Sequence, residues 1–336
     1  MEALTTHLVL APDACIDLQL HTTYSDGTWT PEQLIDYLVS ERFGLVAITD
    51  HDRVDIVASL QHLAAEKQLP VLAAVEMSTS WKGEATDLLC YGFDPEKNEL
   101  NDLAQDVLRR QRENTKEVYE NLRRKGYTFP NPQESVNEGD TAGEPSRATA
   151  RVPASPLHHS RPYNNTEGFA NGIEGGGEPK PSRQLMALLE KPSAQQPHEL
   201  IALLEKHGYR TGATSLGDLI TAAGFFFATN DIAAVVDAVH RSGGICLIAH
   251  PGRGGEFTRY DATLLDELRR EVPIDGFEVY YPTHTPEQIA MYLEYAQKHD
   301  LLISSGSDSH GPDQKPIKYG AELSRSLLER VGIQIK

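Results

Sequence analysis

Cysteine is scarce in this chain of 336 residues: Cys15, Cys90 and Cys246 stand far apart and are odd in number. No C-x-x-C occurs, so neither a disulfide framework nor a cysteine zinc site is expected, and a reducing compartment fits. Positive charge is short as well. Lys and Arg number 31 against 49 Asp and Glu, a formal net charge of -18. Such a field disfavours broad binding to nucleic acid or to an anionic membrane surface, yet it suits a site that concentrates cations. Long apolar runs are absent: none approaches the ~18 residues of a membrane span. The opening "MEALTTHLVLAPDA" lacks a charged segment followed by a long apolar one. A soluble, cytoplasmic protein is expected, with no membrane contact and no evident protein partner. Apolar residues make up 39%, enough for a sizeable core, and the length suits one large domain or two ordinary ones.

What is present is an alternation. Seven short β-type runs can be picked out: "CIDLQL", "LVAIT", "VLAAVEM", "DLLCYGF", "ICLIAH", "GFEVYY" and "LLISSG". Most are followed by a helical pattern. "TPEQLIDYLVSERFG" opens with Thr30 as N-cap, Pro31 at the first helical position and Gln33 closing a capping box. "NDIAAVVDAVHRSGG" and "TPEQIAMYLEYAQKHD" repeat that grammar. Strands alternating with helices predict an α/β fold with a parallel sheet or barrel. Between about Leu100 and Asn230 the alternation breaks. A long polar helix, a stretch over 129–181 rich in Pro, Gly, Ser, Asn and Glu, and short helical pieces read as a helical subdomain inserted into the α/β body, with 129–181 expected to be mobile. The expected division is 14–100 for the first part of the body, 101–230 for the insertion and 231–336 for the second part.

Residues capable of chemistry gather at the C-terminal ends of the runs. His21 and Asp26 follow the first; Asp50, His51 and Asp52 the second; Glu76 ends the third; His250 ends "LIAH"; Asp308 and His310 follow "LLISSG". Asp87 opens the fourth run and is the exception. Each alone reads as a turn, cap or rim residue. Together they match a parallel α/β barrel, whose strand ends deliver side chains to one shared rim, and His with carboxylates there suits a divalent metal. Gln19 stands two residues before His21, so strand alternation aims both the same way. A His at that place would make a His-x-His metal pair.

These motifs resemble the PHP (polymerase and histidinol phosphatase) family. "DLQLHTTYSDG" is similar to its D-L-H-x-H-T-x-x-S-D-G, "ITDHD" to T-D-H-D, "VEMSTSW" to G-[VI]-E, "LIAHPGR" to A-H-P-G and "SSGSDSHG" to G-S-D-x-H. The resemblance covers about Ile16 to Asp94 and Asp231 to Gly311. It implies a distorted seven-stranded β/α barrel holding two or three divalent ions, with His21, Asp26, His51, Glu76, His250, Asp308 and His310 as ligands. Gln19 and Asp87 stand where the family pattern has histidines. As further candidate ligands they make the donor set richer in oxygen, which favours Mn among Mn, Fe, Mg and Zn. Within the family the chain is most similar to stand-alone members with an inserted helical subdomain, phosphatases of nucleoside 3',5'-bisphosphates and 5'-to-3' exonucleases. Many of these carry Arg-Pro-His in the insertion; here Pro197 and His198 are kept, Gln196 replaces the Arg, and Arg183 is a candidate substitute.

The implied function is hydrolysis of a terminal phosphate from a nucleotide or short oligonucleotide by a metal-activated hydroxide. Arg253, after "HPG", is a candidate phosphate clamp. His284, past another strand end, is a candidate proton donor to the leaving oxygen. Asp50 is expected to orient a ligand histidine. Arg109, Arg110, Arg112, Arg123, Arg124 and Lys125 on the long helix read as a solvated face or as a phosphate-facing stripe. The competing reading is a non-catalytic or weakly active PHP-like module that binds metal or nucleotide. An amidohydrolase-type C–N hydrolase needs a carboxylated lysine or a His-x-His, and neither is evident.

Overall fold

The structure is a computed structural model; it describes residues 4–129, 182–209, 215–255 and 257–336. All seven runs form strands. In one main sheet Leu302–Ser305, Gly276–Tyr280 and Ile245–Ile248 run parallel, followed by Leu88–Tyr91 and Ala74–Met77. Leu88–Tyr91 is antiparallel to both of its neighbours. The second main sheet sets Cys15–Asp17, Leu45–Ala47 and Val71–Leu72 in parallel, with Tyr319–Gly320 antiparallel on its edge. Ladder pairing thus yields an α/β fold with two main sheets, and no closed barrel among the described residues. The chain passes from one sheet to the other at Ala73. Single parallel bridges, Leu20 to Ser309 and His51 to Glu76, join the segments that follow the two central strands of the second sheet to the two edges of the first.

Period-two alternation splits the apolar residues between two cores. Leu89, Tyr91, Ile245 and Leu247 join Ile16, Leu18, Leu45, Ala47, Leu72 and Ala74 in a cluster drawn from both sheets. Their alternate neighbours Leu88, Cys90, Cys246 and Ile248 face the helices with Val235, Val236 and Leu265. Helix Pro31–Ser40 starts at the expected capping box, with Thr30 and Gln33 each bonding the other's backbone. It buries Leu34, Ile35 and Leu38 against Trp29, Val46 and Ile48. Thr285 and Gln288 repeat the box at helix Pro286–His299, and Asp231 caps Ile232–Arg241.

The long helix Leu100–Arg124 serves two cores. Leu100 and Ala104 pack on the body, whereas Val118, Tyr119 and Leu122 pack on Leu185, Leu188, Leu200, Leu204 and Ile220 of helices Arg183–Leu189, Gln196–Lys206 and Leu216–Ala222. The stretch expected to be mobile lies outside the described residues apart from Phe129, whose ring stacks on Tyr119 at 5.0 Å. Among the described residues no helix is long and apolar enough to cross a membrane.

Candidate active site

The strand ends converge. Loops after Cys15–Asp17, Leu45–Ala47 and Leu302–Ser305 share a rim because their strands run the same way. Asp87 reaches that rim from the start of its strand because Leu88–Tyr91 is antiparallel, which explains its exceptional position. Glu76, fully buried, lies at the centre. Its Oε2 is 3.0 Å from His21 Nε2 and accepts the Gln19 amide at 2.9 Å; its Oε1 is 3.2 Å from His250 Nε2. His21 Nε2 also lies 3.2 Å from Asp308 Oδ1. His310 Nε2 approaches Asp26 Oδ2 at 3.3 Å, and His51 Nε2 the same oxygen at 3.8 Å. The His21 and His310 rings stack at 4.2 Å.

Three groups emerge, each with ligand atoms within 4.8 Å of one another: His21, Asp26, His51 and His310; His21, Glu76 and Asp308; His51, Glu76 and Asp87. Both nitrogens of His21, Nδ1 of His51 and Oε1 of Gln19 are buried with no partner in hydrogen-bond geometry. Burial would lower the histidine pKa values, but Asp308 and Glu76 around His21, and Glu76 and Asp26 beside His51, reverse it. His21 rises well above the ordinary value and His51 to about 9. Burial likewise opposes the Asp26 and Glu76 anions, yet facing imidazoles, His51 foremost, hold both well below the carboxylate range. Burial and the nearby Glu76 push Asp87 up to about 7. Anions, unpartnered imidazole nitrogens and an open amide oxygen around one point form a donor set that fits divalent cations.

Backbone strain accompanies the site. Asp52, His250 and Asp308 have φ of 53°, 29° and 54°, the left-handed region that costs a non-glycine residue free energy. Polar bonds hold these turns: Glu278 Oε2 accepts the His250 N–H at 3.1 Å, Tyr281 Oη donates to Asp308 Oδ2 at 3.1 Å, and Asp52 Oδ1 accepts the Ser78 N–H at 3.0 Å.

Three of the expected site residues have their own contacts or lie apart from the rim. The Asp50 oxygens accept from Thr22 N, Thr22 Oγ1 and Ser25 Oγ, each at 2.7 Å, tying down the loop that presents Asp26. His284 is engaged by backbone. Its Nε2 accepts the Gly252 N–H at 3.0 Å and its Nδ1 meets Val279 O at 2.9 Å, so backbone occupies both nitrogens. Arg183 is exposed at the start of its helix and lines neither cleft described below. Gln19 is divided: its Nε2 is committed to Glu76, and its Oε1 is open.

Two clefts meet at His51, Leu108, Ser193 and Ala194. One, of ≈ 350 Å³, is bordered by Asp26, Asp87, His310, Arg253 and His198, with Phe227 and Phe257 among its apolar walls. Arg253 donates to Asp308 Oδ2 at 3.4 Å, and its guanidinium lies 4.6 Å above the Phe257 ring. The other, of ≈ 430 Å³, has Tyr24, Arg53, Arg109 and Arg112 in its walls. Arg109 is held by Asp106 and Glu113, and Arg110 by Asp106 and Thr229 O. Sequence reading missed Asp17, Glu278 and Tyr281. Asp17 accepts the Ser307 and Ile317 N–H groups, both at 2.9 Å, and fastens the loop before Asp308. An acid inside an apolar run, as in "CIDLQL" and "GFEVYY", was the available signal.

No protein-family model matches the chain. It is 26% identical to the 3',5'-nucleoside bisphosphate phosphatase of Chromobacterium violaceum, over 90% of this chain and 89% of that one. It is 23% identical to the 5'-3' exoribonuclease Rnm of Escherichia coli, over 95% and 91%. Among solved structures it shares its fold with a Bifidobacterium adolescentis protein whose name gives it as a metal-dependent phosphoesterase, at 23% identity, a TM-score of 0.62 and coverage of 95% and 97%. Similarity thus extends along nearly the whole chain, to relatives named as a nucleoside bisphosphate phosphatase and a 5'-3' exoribonuclease.

Proposed function

We propose that this chain is a metal-dependent phosphoesterase that removes a terminal phosphate from a nucleotide or short oligonucleotide. The observation that carries the reading is Glu76, wholly buried, with His21, His250 and Gln19 on its two oxygens and Asp308 beside His21. In this reading His21, Asp26, His51, Glu76, Asp87, His250, Asp308 and His310, with Gln19 Oε1, hold two or three divalent ions, Mn foremost for so oxygen-rich a set. Bound divalent ions supply charge neutralisation and acidify water. The protein's own groups do the rest. Arg253 borders the cleft with its side chain 41% exposed, and a guanidinium can take phosphate oxygens in pairs. His198 borders the same cleft. Tyr281 and the Asp17 and Glu278 carboxyls keep the ligand loops in place.

The same reading takes the two sheets as a distorted seven-stranded barrel. It is supported by the two bridges between them and by one interior cluster fed from both. It takes 101–230 as an insertion that walls the clefts, and the protein as cytoplasmic, in keeping with three unpaired cysteines. The test is phosphate release by Mn-loaded protein from nucleoside bisphosphates, mononucleotides and short 5'-phosphorylated RNA. Glu76→Ala and Asp308→Ala should each lower turnover by roughly a thousandfold or more, about 4 kcal/mol of barrel-rim chemistry, with the fold kept by circular dichroism. Near wild-type turnover in either variant at full metal load would refute the assignment. No turnover of any substrate by the wild type would favour the non-catalytic module.

A further inference from the structure

The wall of the ≈ 350 Å³ cleft includes an exposed aromatic side chain, Phe227, that phosphate chemistry does not use. Phe226 and Phe227 are 52% and 58% exposed, the most exposed large apolar side chains among the described residues. They stand on a segment without helix or strand, yet the long helix fixes it. Asn114 Oδ1 accepts the Phe226 N–H at 3.1 Å, Gln111 Oε1 accepts the Ala228 N–H at 2.9 Å, and Asn114 Nδ2 donates to Gly224 O at 2.9 Å. Arg110 holds Thr229 O at 3.0 Å. Gln111 and Asn114 are only 5% and 3% exposed, so buried amides are spent on presenting exposed rings. The Phe225 ring packs on the helical cluster and braces Phe227 edge-on at 5.0 Å. Phe227 borders the cleft that also contains His51, Asp87, Arg253 and Phe257; Phe226 does not. Gln111 lines the same cleft, and because its Oε1 is taken by Ala228, its partnerless group is the Nε2 donor.

An exposed ring fixed by backbone bonds, beside a guanidinium and an anion-handling centre, suits a ligand with a phosphate at one end and a flat π-face at the other. We propose that Phe227 is the stacking platform for the substrate's nucleobase, with Gln111 as the positioning residue that holds its loop and keeps one amide donor for a ring acceptor. This rests on the phosphoesterase reading and adds that the base, not only the phosphate, is bound. Stacking tolerates any base, since each has a π-face, so the platform gives a preference for nucleotides over other phosphate esters without selecting one base.

The test compares a nucleoside 3',5'-bisphosphate with its base-less counterpart, ribose 3,5-bisphosphate. The readout is the ratio of kcat/KM between them. The wild type should favour the nucleotide. Phe227→Ala should lower that ratio roughly 5- to 100-fold, the range for one lost base–aromatic contact, chiefly through KM. Phe227→Trp should restore it, and the equally exposed Phe226→Ala should keep the wild-type ratio. Calorimetric Kd values for adenosine 5'-monophosphate on Mn-loaded protein should follow the same order. An unchanged ratio in Phe227→Ala with both substrates turned over would overturn the platform and leave the phosphoesterase reading standing. Turnover of neither substrate by the wild type would overturn both.

Discussion

At the scale of single residues, Gln19 shows how one substitution in a motif can change a site without emptying it. An amide offers an oxygen to a metal and an N–H to an acceptor at one end of the side chain; a neutral imidazole does so from two ring nitrogens that point apart. Here the N–H end holds Glu76 at 2.9 Å and the oxygen end is open. Gln19→Met keeps the volume and removes both ends. Groups that orient a ligand are worth ~10–100-fold in metal affinity or activity, and a loss of that size is expected. Metal per chain by mass spectrometry after matched dialysis decides; equal retention in wild type and variant would leave Gln19 with no role at the metals. The histidines and acids around it were legible in the sequence because metal-type residues ended one β run after another. His284 looked the same by that criterion, and only geometry revealed that backbone occupies both its nitrogens. Asp17 and Glu278 escaped notice because each is a lone acid within an apolar run. A buried acid must find partners, but the sequence does not say which.

Elements were more legible than contacts. Capping boxes announced two helices, and the seven apolar runs became strands. Direction was not legible: nothing in "DLLCYGF" says that it runs against its neighbours, and so Asp87 looked misplaced. Two glycines separate the element's work from the site's. A Cβ on Gly276 would strike Leu302 O and come within 2.7 Å of Leu302 C, where adjacent strands start. A Cβ on Gly306, at the site end of Leu302–Ser305, would strike Glu278 Oε1 and come within 2.5 Å of Gln19 Cβ. Overpacking of this kind costs about 1–3 kcal/mol, so Gly276→Ala and Gly306→Ala should both shift the urea midpoint downward. Only Gly306→Ala should also weaken metal retention, because it displaces Gln19. Equal metal loss in the two variants would mean that the rim is not organised from Gly306.

At the scale of the molecule, a chain with a net charge of -18 gathers carboxylates and imidazoles at one rim, and in the absence of metal protons take the cations' place. The consequence for stability has a definite sign. His51 has a pKa of about 9 in the fold against 6.5 ordinarily, and His21 moves the same way. The folded protein therefore holds protons that the unfolded chain releases. This stabilisation is complete below pH 6.5 and lost as pH rises toward 9. Asp26 and Glu76 are shifted down from 3.8 and 4.5, so their contribution is present above those values and lost on acidification. Asp17 and Asp87, raised to about 7, and Asp52, raised to about 6, also keep protons in the fold, so metal-free protein should have its highest Tm at or below about pH 5 and a Tm that falls toward pH 9. Divalent metal needs neutral imidazole, so its uptake at pH 7.5 must expel protons and its apparent affinity must rise with pH. Mn should then lift Tm most on the alkaline side, where it replaces protons already leaving. Thermal melts with and without chelator from pH 5 to 9 test the first part. Calorimetric titration in buffers of different ionisation enthalpy counts the released protons. A flat metal-free profile together with proton-neutral binding would mean that His21 and His51 are neutral before the metal arrives, and that the acids around them, rather than the imidazoles, set the charge of the site.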